Sequence, residues 1–184
     1  ISQVADKTDI SAFAWHSKSI GHSFVCLTSP LWTWVYDLRE GSWHERKSYG
    51  LDFWRISGVV EWQGKVLAGD YENGELYDMS GEYFDEGGSP LVMTVQTAPS
   101  DAFPYPVQVN GLVLDMAPGV GRIGRPQDET PEVLMAYSDD GGRTWSTERS
   151  ASIGTAGSTN ARAKWLRPGM IRRNGRTWRF RVSA

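Results

Sequence analysis

The stretch that could most plainly carry chemistry is Ser-Asp-Asp-Gly-Gly-Arg-Thr-Trp-Ser at residues 138–146. It places two adjacent carboxylates, Asp139 and Asp140, before a pair of glycines and a tryptophan. Such carboxylates can bind calcium, act as general acids and bases, or accept hydrogen bonds from the amides of a tight turn. Two adjacent carboxylates without further oxygen ligands are a weak calcium signal. We therefore predict a structural turn, with no metal site.

Five residues of this stretch follow the pattern Ser-x-Asp-x-Gly-x-Thr-Trp, namely Ser138, Asp140, Gly142, Thr144 and Trp145. The pattern resembles the Asp-box, a β-hairpin found in sialidases, other glycosidases and many non-enzymatic β-proteins. We expect Asp140 to accept hydrogen bonds from turn amides, and Gly142 to adopt a backbone conformation that a Cβ would forbid. The ring of Trp145 is expected to pack back against the hairpin. All of these roles are structural.

Other patterns that could indicate an active site or a cofactor site have the wrong context. Residues 119–124 match G-x-G-x-x-G, but Pro118 precedes them and Pro126 follows, so no helix of normal length can begin there to bind a pyrophosphate. Cys26 lies in an apolar segment and is expected to be a buried structural thiol. No zinc-ligand spacing occurs around the three histidines, His16, His22 and His44. We predict no catalytic residue and no cofactor.

The composition of the chain favours short strands over helices. Its 184 residues include nine Trp, twenty Gly and nine Pro. Aromatic residues favour strands, whereas Gly and Pro favour the tight turns between them. No apolar run approaches the roughly 20 residues that a membrane-spanning helix needs. We predict an all-β protein that does not act at a membrane.

A Tyr-Asp pair recurs in the first hundred residues. Tyr36-Asp37 and Tyr77-Asp78 are 41 residues apart, and each pair is followed by a turn and an aromatic residue. This spacing is typical of one four-stranded propeller blade. Two repeats cannot close a propeller, so we predict that residues 1–98 are its carboxy-terminal blades. Because the chain begins with Ile1, we expect a longer polypeptide that carries the earlier blades.

A second domain is predicted from residue 99 to residue 184. Three prolines between Pro99 and Pro106 break the repeat, because proline blocks both helix and ladder pairing. We expect a small antiparallel, β-sandwich-like domain that contains the Asp-box-like hairpin and basic terminal strands. In the last strand, one face carries Trp178, Phe180 and Val182, and the other carries Thr177, Arg179 and Arg181. Hairpin turns are predicted at Gln63-Gly64, Asn73-Gly74 and Asn174-Gly175.

Charge is distributed unevenly along the chain. Residues 143–184 contain ten Lys or Arg and one acid, whereas residues 1–142 have a formal net charge of -12. This asymmetry indicates a basic surface that contacts double-stranded DNA or an acidic ring of partner subunits. The alternative is a solvated face whose charge balances the acidic amino-terminal part of the chain. The candidate basic patch consists of Arg162, Lys164, Arg167, Arg172, Arg173, Arg176, Arg179 and Arg181.

Four stretches together resemble the carboxy-terminal part of the packaged-DNA stabilization proteins of short-tailed bacteriophages, which are hub or head-completion proteins of the tail. They are TWVYDLREGSWHER at 33–46, GKVLAGDYENGELYDM at 64–79, VLMAYSDDGGRTWSTERSASIG at 133–154 and RAKWLRPGMIRRNGRTWRFRVS at 162–183. The resemblance implies a β-propeller followed by a smaller β domain, in a ring that is expected to be a hexamer.

The same resemblance implies a place in the virion. The ring is expected below the portal and its adaptor, where it closes the channel after packaging and holds the tail needle and the tailspikes. The protein would be made in the cytoplasm of the bacterial host. The family has no recognised catalytic residues, so the resemblance assigns none here.

The alternative hypothesis is a glycan-active propeller, either a sialidase-like hydrolase or a lectin. It is favoured by the Asp-box pattern and by the many aromatic residues. A sialidase would need several Asp-boxes, an arginine cluster and a Tyr-Glu nucleophile pair. Only one such box occurs in the sequence, and most arginines lie outside the predicted blades. The structural hypothesis is therefore the stronger one.

Overall fold

The computed structural model of the chain describes residues 9–18, 20–80, 83, 85–101, 104–116, 131–155, 157–172 and 174–183. The described residues form fifteen β-strands and no α-helix. The prediction of an all-β protein is confirmed. Within this part of the chain, no helix is long and apolar enough to cross a membrane.

Contacts divide the chain into two compact units, Ile1–Leu91 and Val92–Ala184. The sequence-based boundary lies between residues 98 and 99. The contact-based boundary falls before strand β10 (Val92–Gln96), because this strand pairs antiparallel with the last strand of the chain. Ser100, in the proline-rich segment, also forms an antiparallel bridge with Arg176.

The first unit contains two larger antiparallel sheets and one short ribbon. The first sheet has the order β1-β2-β3-β4, the second has the order β5-β6-β7, and β8 pairs with β9. The strands are β1 (Ser11–Ser17), β2 (His22–Ser29), β3 (Trp32–Asp37), β4 (Ser42–Glu45), β5 (Ile56–Trp62), β6 (Lys65–Asp70), β7 (Leu76–Asp78), β8 (Asp85–Glu86) and β9 (Ser89–Pro90).

The two Tyr-Asp pairs occupy equivalent places in the two larger sheets. Tyr36-Asp37 lies on the third strand of the first sheet, where Asp37 is opposite Phe24 of the second strand. Tyr77-Asp78 lies on the third strand of the second sheet, where Asp78 is opposite Leu67. The 41-residue spacing in the sequence therefore corresponds to a repeated strand position.

The predicted turn between β5 and β6 is confirmed at Gln63-Gly64. Both residues have positive φ, 48° and 80°. A two-residue hairpin loop of type I′ requires this conformation at both central positions. The predicted turn at Asn73-Gly74 is confirmed as well, with φ 70° at the glycine.

A hydrophobic core joins the two larger sheets of the first unit. Its buried residues are Trp15, Phe24, Cys26, Val35, Trp54, Ile56 and Ala68. The thiol of Cys26 is fully buried, as expected. Burial raises the pKa of this thiol to about 11, against a smaller opposing effect of the Arg46 guanidinium. Such a thiol is a structural residue rather than a nucleophile.

The second unit is a β-sandwich of a four-stranded and a two-stranded antiparallel sheet, with orders β10-β15-β12-β13 and β11-β14. Its further strands are β11 (Val107–Leu114), β12 (Glu132–Ser138), β13 (Arg149–Ser152), β14 (Ala163–Ile171) and β15 (Thr177–Ser183). Trp178 and Phe180 of β15 are buried in the core, as the alternation in the sequence predicts. There they pack with Trp165 of β14.

Strand β14 contains Pro168, although proline is seldom found in the interior of a strand. The strand continues through Pro168 by means of a β-bulge. Leu166 pairs with Gly111 and Gly169 pairs with Val109, so the two residues Arg167 and Pro168 lie opposite the single residue Asn110. Arg167 in this bulge has φ 49°. A bulge leaves its extra residues unpaired, so the missing amide hydrogen of proline breaks no ladder bond. The prediction of a hairpin at Asn174-Gly175 is wrong, because the turn there connects β14 to β15, which lies in the other sheet and does not pair with β14.

Candidate functional site

The residues of the Asp-box pattern close a tight turn at the end of β12. Oδ1 of Asp140 accepts hydrogen bonds from the Ser138 hydroxyl (2.7 Å) and from the amides of Arg143 (3.0 Å) and Thr144 (2.9 Å). Oδ2 accepts one from the Thr144 hydroxyl at 2.6 Å. The hydroxyl oxygen of Ser138 in turn accepts a hydrogen bond from the Gly142 amide at 2.8 Å. The turn is thus built around one carboxylate.

Hydrogen bonding holds the pKa of Asp140 well below its usual range, and the bond from the Thr144 side chain contributes most. A carboxylate stabilised in this way stays ionised and serves the turn. The other carboxylate of the pair, Asp139, is bound by Arg176. Across the described residues, no group of three or more His, Cys, Asp or Glu could hold a metal ion. The geometry therefore gives the calcium alternative no support.

Trp145 ends the turn and covers an arginine. Gly142 has φ 91°, and an added Cβ there would lie 3.8 Å from Cζ2 of the Trp145 ring. The guanidinium carbon of Arg179 lies 4.1 Å from the centre of the Trp145 ring. At this distance, the cation and the face of the ring attract each other. The hairpin therefore connects its turn to the outer face of β15.

Arg176 is a buried anchor and is not part of an exposed patch. The residue is only 3% exposed. Its Nε and Nη2 donate hydrogen bonds to the two carboxylate oxygens of Asp139, at 2.6 and 2.7 Å. Nη1 donates to the carbonyl of Pro168 (2.8 Å), and Nη2 donates to that of Met170 (3.1 Å). The guanidinium carbon also lies 3.7 Å from the centre of the Tyr137 ring. A phosphate cannot reach this arginine.

Two further arginines of the candidate patch share one acid. Oε1 of Glu148 accepts a hydrogen bond from Nη1 of Arg181 at 2.8 Å and lies 3.7 Å from Nη2 of Arg179. Both arginines point away from the sandwich core, as the alternation of β15 predicts. One carboxylate thus neutralises part of the charge of the two arginines.

The remaining described cations of the candidate patch lie on β14 or next to its ends, and they are exposed. Lys164, Arg167 and Arg172 have no ion pair or hydrogen bond to other side chains within the described part of the chain. The guanidinium of Arg162 lies 3.6 Å from Asp115 in a pair that is largely exposed. Such exposed pairs contribute little energy. Arg173 and the G-x-G-x-x-G segment at 119–124 lie outside the described residues.

Exposed apolar side chains accompany these cations on the β11-β14 ribbon. Val113, Leu166 and Met170 are 51%, 59% and 46% exposed. Val113 lies directly opposite Lys164 in the ribbon, and Leu166 precedes Arg167. The free cations of the candidate patch are therefore mixed with apolar groups, and this composition is typical of a protein-binding surface. We call Arg162, Lys164, Arg167 and Arg172, with these three apolar residues, the β14 surface.

His16 and His22 form hydrogen bonds with nearby side chains. Nδ1 of His22 lies 2.6 Å from Oδ2 of Asp37, and Nδ1 of His16 lies 3.0 Å from the Ser23 hydroxyl. Oδ1 of Asp37 accepts hydrogen bonds from the amides of Arg39 and Glu40, at 2.8 and 3.2 Å, so it closes a turn. Asp70 closes a similar turn, because its Oδ1 accepts a hydrogen bond from the amide of Glu72.

Two features could not be found from the sequence. The pair of Asp139 and Arg176 joins residues that are 37 positions apart. Arg46 lies in a cage of aromatic rings. No local motif marks either feature, because the partners come from different strands. The only signal for Arg46 is the high number of tryptophans in the same half of the chain.

A comparison with protein-family models finds a match in the second unit. Residues 105–184 match the family described as Bacteriophage P22 Gp10, beta-sandwich. This match agrees with the sandwich of the second unit, and it confirms the resemblance to the carboxy-terminal part of short-tailed phage tail hub proteins. A search of curated proteins gave no match. The matched family supports the assignment of the chain as a structural protein of the phage tail, located in the virion.

Proposed function

We propose, on the premise that residues 105–184 are the sandwich of this phage tail family, that the chain is the carboxy-terminal part of a tail hub protein. The hub closes the portal channel, retains packaged DNA and connects the portal adaptor to the tail needle and tailspikes. The family match carries this proposal. The protein is made in the host cytoplasm, is not an enzyme, and assembles as a ring of six copies.

The first unit supplies the last blades of a propeller in this proposal. The meander β1-β2-β3-β4 has the strand order of a complete blade, and β5-β6-β7 supplies three strands of the next. Inner strands β1 and β5 lie next to each other, as they do in adjacent blades. The repeated Tyr-Asp position supports the same interpretation.

Opposite charges on the two units support assembly into a ring. The first unit has seven Lys or Arg and fourteen Asp or Glu, so its formal net charge is -7. The second unit has twelve basic and eight acidic residues, so its net charge is +4. A head-to-tail contact between unlike surfaces closes into a ring when the rotation between subunits permits it. Such a contact would place the basic unit of one copy against the acidic unit of the next.

The β14 surface is the proposed attachment point. Contacts with DNA phosphates need cations, and they gain nothing from exposed Val113, Leu166 and Met170. An acidic protein surface with apolar groups uses both. We therefore assign the β14 surface to a protein partner, either a neighbouring copy or the portal adaptor. In the described residues, nothing favours the glycan-active alternative, because the carboxylate of the Asp-box turn is fully used by the turn itself.

The proposal is tested on purified particles of the phage that encodes the chain. Quantitative mass spectrometry should find its peptides at a fixed copy number relative to the portal protein. Full-length protein with Lys164→Glu, Arg167→Glu and Arg172→Glu should then reduce nuclease-protected DNA and infectious titre at least tenfold. Arg143→Glu is the matched control, since this arginine is exposed on the hairpin turn. Absence of the peptides from particles would contradict the hub assignment, whereas an unaffected triple variant would contradict only the role of the β14 surface.

A further inference from the structure

The first unit contains a cavity that the hub function does not use. Its volume is about 600 Å³, and it lies between the two larger sheets. Its wall is mostly apolar, with Ile56 and Val66 among the lining residues, and its acidic lining residues are Asp78, Asp85 and Glu86. Pockets that bind small molecules have volumes in this range, apolar walls and a few polar groups that fix the orientation of the ligand.

The cation in this wall is Arg46, which lies in an aromatic cage. Its guanidinium carbon is 4.9 Å from the ring centre of Trp54, 5.4 Å from that of Trp15 and 5.9 Å from that of Phe24. Cation–π contacts of this kind stabilise a guanidinium without neutralising its charge. The ring faces thus hold the side chain in place and leave its Nη groups for other partners.

Arg46 forms no direct ion pair with an acid among the described residues. Its Nε donates a long hydrogen bond of 3.4 Å to Nε2 of His44. Glu86 lies close enough to favour the charged arginine, but its Oε1 accepts a hydrogen bond from the indole of Trp54 at 2.8 Å. Burial lowers the pKa of the His44 side chain, and the charge of Arg46 lowers it further, so this imidazole is a neutral acceptor.

A partly buried cation that forms no direct ion pair is costly, and a bound anion would relieve that cost. Burial is also the largest influence on Arg46, and it lowers the pKa of the guanidinium, which still remains charged. The fork of N–H groups on arginine matches a carboxylate in a bidentate geometry. Asp85 and Glu86 in the cavity wall disfavour a doubly charged ligand such as a phosphate monoester, whereas the charge of Asp78 is paired with Lys65. The apolar wall requires that the rest of the ligand be apolar.

We propose that the first unit binds a small organic monocarboxylate with an apolar body, whose carboxylate pairs with Arg46 and whose body lies against Trp15 and Trp54. This site is independent of the hub assignment. It rests on the cavity, the aromatic cage and the unpaired guanidinium.

Decanoate is the probe, at concentrations below those at which it forms micelles, and the intact chain is titrated by calorimetry and saturation-transfer NMR. Decanol and decyltrimethylammonium are the matched ligands, with the same chain and no charge or the opposite charge. Wild-type protein should bind decanoate at one saturable site and bind decanol at least tenfold more weakly. Arg46→Met should weaken decanoate binding at least tenfold and leave that of decanol unchanged. Lys47→Met, which changes an exposed neighbour, should leave decanoate binding unchanged.

The comparison of the three ligands on wild-type protein decides the proposal even where Arg46→Met fails to fold. Equal affinity for decanoate and decanol would overturn it, because the pocket would then be merely apolar. No saturable binding of decanoate would also overturn it, as would a folded Arg46→Met variant with undiminished affinity. Preferential binding of decyltrimethylammonium would show that Glu86 dominates the site and would contradict the assigned role of Arg46.

Discussion

Replacement of Arg176 by Met should destabilise the second unit strongly. The change removes both hydrogen bonds to Asp139 and those to the carbonyls of Pro168 and Met170, while it keeps an apolar stem of similar length. Loss of one partner from a buried ion pair costs about 3–5 kcal/mol. The side chain of Asp139 is 38% exposed and can be rehydrated, so we expect the lower end, about 3 kcal/mol. This corresponds to more than a hundredfold change in the opening equilibrium.

The assay must report each unit separately, because a two-unit chain does not guarantee a single unfolding transition. Hydrogen exchange with mass spectrometry on the intact chain does so, through peptides of β12 and β15 for one unit and of β2 and β3 for the other. Arg172→Met is the matched control and should change stability by less than about 0.5 kcal/mol, because this arginine is exposed.

A double-mutant cycle isolates the contribution of the pair itself. Adding Asp139→Ala to Arg176→Met should cost about 2 kcal/mol less than the sum of the single changes, because residues in direct contact are not additive. A loss below about 1 kcal/mol for Arg176→Met would match an ordinary surface ion pair and would refute the anchor role.

Three further predictions concern titratable groups. The lowered pKa of Asp140 means that its stabilisation of the turn is complete above pH 3.8 and is lost only as pH falls well below this value. Asp140→Asn should therefore speed hydrogen exchange of the Thr144 amide at neutral pH. Unchanged exchange would contradict this role of Asp140. The pKa of His44 is lowered from 6.5, so the first unit should lose stability as pH falls below 6.5, and His44→Gln should remove that pH dependence in hydrogen exchange. Cys26, with a pKa of about 11, should not be alkylated by iodoacetamide at pH 8 in the folded protein, but it should be alkylated in urea. Rapid alkylation without urea would contradict its burial.

Local patterns predicted much of the fold, because their causes are local. The Asp-box turn depends on residues within seven positions of one another, and the spacing alone identified its members. The two faces of β15 followed from alternation, and the turn at Gln63-Gly64 followed from residues that tolerate positive φ. The repeat of the Tyr-Asp pairs predicted an equivalent strand position in two sheets.

Features set by distant contacts could not be predicted. Proline is disfavoured inside a strand, but the bulge opposite Asn110 accommodates Pro168 in β14. The basic patch looked continuous in sequence, yet Asp139 and Glu148 engage the arginines of its last part. Only tertiary structure separates Arg176, which is buried, from Arg172, which is exposed. Charge counts along a chain do not show which cations are already paired.

The hub assignment is tested most directly by cryo-EM reconstruction of intact particles that carry the full-length protein, with an antibody fragment bound to this chain to locate it. The proposal predicts antibody density at equivalent positions of a ring below the portal, with the β14 surface against a protein neighbour. Antibody density only on peripheral fibres, or absence of this chain from the virion, would contradict the proposal.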